Sequence, residues 1–229
     1  MSISNSDHLR RKIDLIYLNS GVGQQLLSHP DFRGLYPEFL FTVHTMIRAS
    51  VPLMEEAQAQ CLKRPDDPVA TAMAGYLEQH IKEERHHDIW CLDDLQTVGV
   101  AAEEVARRVP SPTVASLVGS QYYWMKHYHP LALLGYIAVI EGYPPQEALV
   151  DHMQTITDYP REAFSTLLKH ARLDPHHKKD LDQFLNSLTL SDEQLSILGL
   201  SAIHTVQLVI QTYKDVLDAH DEAAPALSA

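Results

Sequence analysis

The sequence has 229 residues and is 45% apolar, enough to bury a sizeable core as one domain or two small ones, one being the simpler reading. A formal charge of −12 argues against nucleic acid as a partner, since binding a phosphate backbone relies on clustered Lys and Arg. There is no run of about 18 uncharged apolar residues and no signal-peptide core in the polar N-terminal stretch, so a soluble, cytoplasmic protein with no membrane partner is expected. Cys61 and Cys91 lack C-x-x-C spacing and suggest neither a disulfide framework nor a zinc knuckle.

Apolar residues recur at three- and four-residue intervals throughout, and strand-like alternation is almost absent. Breaks rich in Pro, Gly and Asp leave expected helices near 6–28, 38–62, 67–97, 101–108, 112–141, 145–156, 160–173, 175–187 and 191–221. Asp67 before Pro68 reads as a cap and helix start, and Ser191 with Gln194 as a capping box. With no repeat or linker in view, the expectation is a single all-α domain over 1–229. Its core is a compact bundle of seven or more helices over about 30–215, with the helix 6–28 packed on it.

In the stretch 80–87, "HIKEERHH", His80, Glu84 and His87 form H-x-x-x-E-x-x-H. At ~100° per residue these lie within about 60° of one another, inside the stripe of Val69, Met73, Tyr76, Leu77, Ile81, Cys91 and Leu95. Glu78, Lys82, Arg85, His86 and Asp93 fall on the opposite, solvated side. An ionised carboxylate aimed into a core costs several kcal/mol unless it is compensated, and a divalent cation compensates it. The stretch 170–177, "HARLDPHH", repeats the spacing with His170, Asp174 and His177. Proline after Asp174 predicts that His170 ends one helix and Asp174 caps the next, so that the three ligands straddle a joint. Glu141, closing an apolar run and sharing a face with Leu134 and Ile137, supplies a lone inward carboxylate. Two acid-x-x-His units plus a carboxylate suit a two-iron site in a helical bundle, with manganese also accommodated and zinc fitting less well.

On "HIKEERHHDIW", "HPLALLGYIAVIEG" and "HARLDPHH", the chain resembles the heme-oxygenase-like di-iron oxidases and oxygenases, a group sharing its fold with thiaminase II and the quinone-synthesis C protein. The resemblance implies iron ligands at Glu84 or His80, at His87, at Glu141, and at His170, Asp174 and His177. It implies two irons that activate O₂ to oxidise a small organic substrate inside the bundle, so the expected partners are O₂ and that substrate; a homodimer is compatible with it. A metal-independent enzyme of the thiaminase II type, resting on a nucleophilic cysteine such as Cys91, and a non-catalytic metal- or partner-binding protein are the alternatives. Some relatives use a further glutamate, for which Glu55, Glu56 and Glu38 are weak candidates. His44 and Arg48, expected on a buried face, are candidates to meet a substrate carboxylate or to pair with an inward acid, and His127 and His129 are candidate cavity residues.

Overall fold

The computed structural model describes residues 3–223, so the ends of the expected domain, 1–2 and 224–229, lie outside the described residues. Eleven α-helices and one short 3-10 turn make up its regular structure, with no strand among the described residues. In chain order they are α1 (Asn5–Ser20), α2 (Val22–Leu27), α3 (Phe32–Leu62), α4 (Pro68–Glu84), α5 (His87–Thr97), α6 (Ala102–Arg107), α7 (Pro112–His127), α8 (Ala132–Ile140), α9 (Glu147–Thr157), the 3-10 turn Arg161–Phe164, α10 (Ser165–Ser187) and α11 (Asp192–Ala223).

The local signals act as expected at both predicted caps. Asp67 accepts from the amides of Val69 and Ala70 at 2.8 and 3.1 Å, ahead of Pro68 in the first turn of α4. Ser191 and Gln194 exchange side-chain to backbone bonds of 3.2 and 3.0 Å, the reciprocal capping box that opens α11.

Helix α11 is long and apolar enough to cross a bilayer by length and composition, and more than half of its most apolar window is buried within the bundle. It packs against α8, α1, α7 and α3. The α8 contact is backbone to backbone: a Cβ on Gly135 would lie 2.6 Å from the Leu198 carbonyl oxygen. Two apolar clusters share the interior. One joins α1, α4, α7, α8 and α11 through residues such as Ile13, Leu77, Leu133 and Val206. The other joins the start of α3 to α5, α9 and the 3-10 turn through Tyr36, Leu40, Leu95 and Phe164. Val43 and Tyr213 pack against both, at the seam where the candidate site lies.

Helix α1 is tied to the seam through Arg10. Its guanidinium donates to the Ala138 carbonyl at 2.6 Å near the end of α8 and pairs with Asp182 on α10 at 2.8 Å.

Five expected helices are redrawn by the structure. Gly21, at φ 64°, divides 6–28 into α1 and α2. The span 112–141 is interrupted between His127 and Ala132. The span 67–97 ends at Glu84 and restarts at His87, with His86 left-handed at φ 72°. The joint expected at Asp174-Pro175 is absent, because α10 runs through Pro175 as one helix. Packing overrides the proline: Asp174, His177, Leu181 and Leu185 bury one continuous face, while Pro175 itself is exposed.

Candidate metal centre

All seven expected ligands converge. The segments carrying the matched spacings lie on α4–α5 and on α10, with His80 facing His177 and His87 facing His170. The two ring pairs have nearly equal separations, 5.1 and 5.2 Å, both edge to face. The first ligand of one motif thus meets the last of the other, as in antiparallel partners of equal repeat, and the acids Glu84 and Asp174 fall between the pairs.

Glu84 links the halves. Its Oε2 lies 3.1 Å from His87 Nδ1 and its Oε1 lies 3.2 Å from His177 Nδ1. Glu141 closes α8 as its C-terminal cap, putting Oε1 3.0 Å from His80 Nε2 and Oε2 3.7 Å from His177 Nδ1. Asp174 Oδ1 is 3.8 Å from His177 Nδ1. Glu84, His87 and His170 each present a ligand atom within 4.8 Å of the others, as do His80, Glu84 and Glu141. His80, Glu83 and His177 form a third such group, so Glu83 is a neighbour that the sequence did not single out.

The polar atoms here are buried and unmatched. Glu84 Oε1, His87 Nδ1, Glu141 Oε2, Asp174 Oδ1 and His177 Nδ1 have no hydrogen-bond partner, although several lie close to one another. Burying polar groups unpaired costs roughly 1–3 kcal/mol each, so five at one point is a large penalty for a protein to carry unless a cation takes them up. The donor set, four imidazoles and three carboxylates, suits iron or manganese.

The electrostatics agree. For Asp174, burial first and then the carboxylates of Glu141 and Glu84 push the acid up to about 9. For His80, burial opposes the charged ring, but Glu141 and then Glu84 and Glu83 outweigh it and raise the group to about 9. Burial likewise opposes the charge on Glu84, yet the imidazoles of His87, His177 and His80 hold it below the usual carboxylate range. His170 is lowered, chiefly by burial.

Surrounding groups fix these ligands. His170 Nδ1 donates to the Thr166 carbonyl at 2.9 Å, which leaves Nε2 free for the centre. Asp94, fully buried on α5, accepts from the Thr166 amide at 2.8 Å and from the Ser165 hydroxyl, and so ties α5 to the first turn of α10. The His87 ring stacks on Trp90 at 3.9 Å between centroids, and the His80 ring on Tyr76 at 5.4 Å. Asp94 was legible in principle, sitting seven residues after His87 on the same face.

Other candidates are placed differently. His44 is buried with Nδ1 unpartnered, whereas Arg48 is exposed, contrary to the expected buried face. Helix α3 runs through Pro52 without a break, and Arg48, one turn further along it than His44, is exposed. It lines a cleft of about 290 Å³ with Arg85, His86 and Glu84. Glu55 pairs with Arg85 at 3.2 Å and lines the same cleft, while Glu38 pairs with Arg108 and Glu56 with Gln60 at 2.7 Å. His129 binds Asp67 at 2.8 Å, and with His127 it borders a separate cleft beside Glu193. Cys91 is fully buried, its thiol donating to the Leu40 carbonyl at 3.4 Å, and burial pushes its pKa well up.

A cavity of about 150 Å³ borders the centre on the side of Glu84, Glu141, His170 and Asp174. Its remaining walls are mainly apolar.

Comparison with known proteins agrees with this fold. A domain with a heme oxygenase-like fold from Shewanella denitrificans aligns over 93% of this chain and 90% of its own, at 18% identity and a TM-score of 0.76. A TenA homolog from Pseudomonas syringae pv. tomato aligns over 93% and 91% at 10% identity with a TM-score of 0.68. A CADD-like protein of unknown function from Nostoc punctiforme does so over 93% and 95% at 14% identity with a TM-score of 0.65. At these identities the likeness concerns the fold. No curated protein matches in sequence. The family model described as iron-containing redox enzyme matches residues 55–208, a span that holds all seven of the converging residues, and the chain belongs to that family.

Proposed function

We propose that the protein is a non-heme di-iron oxidoreductase that activates O₂ to oxidise a small organic substrate held inside the bundle. The observation that carries this reading is the placement of Glu84, whose two oxygens face imidazoles of opposite halves at 3.1 and 3.2 Å. One carboxylate shared between two donor groups is what a two-metal site needs.

The residues divide into two unequal sets. His87, His170 and Glu84 offer two imidazoles and one carboxylate, a set suited to iron with open positions. His80, His177, Glu141 and Asp174 surround the other position with two more imidazoles and two carboxylates. When bound, iron supplies the redox chemistry with O₂, and manganese fits the same donors. The chain's own contribution is positional. Trp90 and Tyr76 hold two of the rings, Thr166 fixes the tautomer of a third, and the apolar cavity keeps water from the substrate beside the carboxylates. Burial and the neighbouring carboxylates of Glu141 and Glu84 favour the protonated form of Asp174 without metal, and a bound cation would favour its ionised form as a ligand.

A metal-independent activity of the thiaminase type is disfavoured by Cys91, whose thiol is buried, hydrogen-bonded and held protonated. Anaerobic loading with Fe(II) is expected to give two irons per chain, followed by O₂ consumption on exposure to air. Anomalous scattering at the iron edge should place both among the seven ligands. A stoichiometry of one or none would overturn the di-iron reading.

A further inference from the structure

The cavity beside the centre limits what the enzyme can accept. Its volume is about 150 Å³, well below the roughly 300–1,000 Å³ typical of sites for larger ligands. An apolar cavity of about that size takes a molecule such as benzene. Phe39, Val43, Ile47, Ile140, Val209 and Tyr213 build walls from which every Lys and Arg is absent. Its charged residues, Glu84, Glu141 and Asp174, are all acidic and all belong to the metal side. Thr166, fully buried beside Asp94 and Cys91, lines the same cavity next to His170.

We infer that the substrate carries a compact apolar group of benzene size, a ring or a short branched alkyl, seated against Val43, Val209 and Phe39. Its polar end faces the carboxylates and imidazoles of the centre, and its far end bears no anionic group. This rests on the proposed oxidation at that centre and adds the class of molecule oxidised. A carboxylate seated among Phe39, Val43 and Val209 would be buried without a cation, a cost of several kcal/mol. An extended chain of eight or more carbons would exceed the space.

The test uses the full chain, both metal-free and loaded with Fe(II) under anaerobic conditions, and ligand-observed fluorine NMR with fluorobenzene. Fluorobenzene is expected to bind the metal-free protein, and iron loading is expected to add paramagnetic relaxation to the bound probe, which locates it beside the centre. Val209→Trp should weaken binding at least tenfold. Should that variant fail to fold, Val43→Ala should instead admit fluoronaphthalene, which the parent protein excludes. Failure of fluorobenzene to bind, binding unchanged by filling the cavity, or tighter binding of 1-fluorooctane than of fluorobenzene would each overturn the inference. Absence of iron uptake with the ring still bound would sink the di-iron reading instead, so the two failures are distinguishable.

Discussion

Residues 80–87 and 170–177 carry the same three-ligand spacing on contrasting backbones. In the first, with no proline or glycine near, the helix stops at Glu84 and restarts at His87 through a left-handed His86. In the second, a proline directly after the acid leaves the helix unbroken. Local preference favours the opposite assignment in both places. What decides is the tertiary partner. Helix α5 turns away from α4 to pack on α3, α10 and the 3-10 turn, and Asp94 grips the start of α10, while α10 buries a single face along its whole length. The ring pairs come out at matching distances, so the two backbones converge on one ligand arrangement by different routes.

The strongest way to break the comparison is to remove one imidazole from each backbone. His87→Ala and His177→Ala are each expected to cut the iron content from two to one and to lower O₂ consumption more than ~100-fold, beyond the 10–100-fold that changes outside the ligand shell cause. Glu84→Ala should lose both irons. Metal analysis and an oxygen electrode check these outcomes, and full iron content in His177→Ala would show that the halves are not equivalent.

Backbone changes sharpen it next. Pro175 is exposed within a helix, where proline costs ~3 kcal/mol relative to alanine, so Pro175→Ala should stabilise the metal-free protein by about 1–3 kcal/mol in denaturant unfolding. A destabilised Pro175→Ala would mean that the ring itself is needed for packing.

The third test is pH. In the metal-free protein His80 and Asp174 both have folded pKa values raised to about 9. A raised value means that the folded state holds the proton more tightly, so the stability linked to it is lost as pH rises. For His80 the window runs from about 6.5 to 9, and for Asp174 from about 3.8 to 9. The melting temperature of the metal-free protein should therefore fall between pH 6.5 and 9.5, and loading with metal should flatten that slope. A metal-free melting temperature that rises over this range would contradict the assignment.

The smallest effect belongs to His86. Glycine accepts its positive φ without strain, so His86→Gly should gain up to about 1 kcal/mol, and His86→Ala should change stability little while keeping both irons. Loss of iron in His86→Ala to the extent seen in His87→Ala would show that the exposed ring takes part.

The inward ligands were legible because helical phase separates them from their charged neighbours. His80, Glu84 and His87 are buried, whereas Glu78, Lys82, Arg85 and His86 are exposed. That contrast survives the break, since phase is kept on both sides of it. The break itself, the continuity through Pro175 and the exposure of Arg48 were not legible, because each depends on which helix lies opposite. Glu83 escaped for a related reason. It sits on the outer side of α4 by phase, yet its carboxylate reaches back to His80 at 3.7 Å and is met by His177 from α10 at 4.0 Å.

The Arg10 bracket bears on modularity. The family signature spans 55–208, yet the carbonyl one turn before Glu141 and the carboxylate five residues after His177 are both held by a side chain from outside it. Gly142 completes the bracket, since a Cβ there would run into the Ala138 carbonyl and the Arg10 guanidinium. A fragment trimmed to the signature would contain all seven converging residues and still lack the tie that sets α8 against α10. Transplanting this chemistry into another helical scaffold therefore requires moving a tenth-residue arginine along with the centre it never touches.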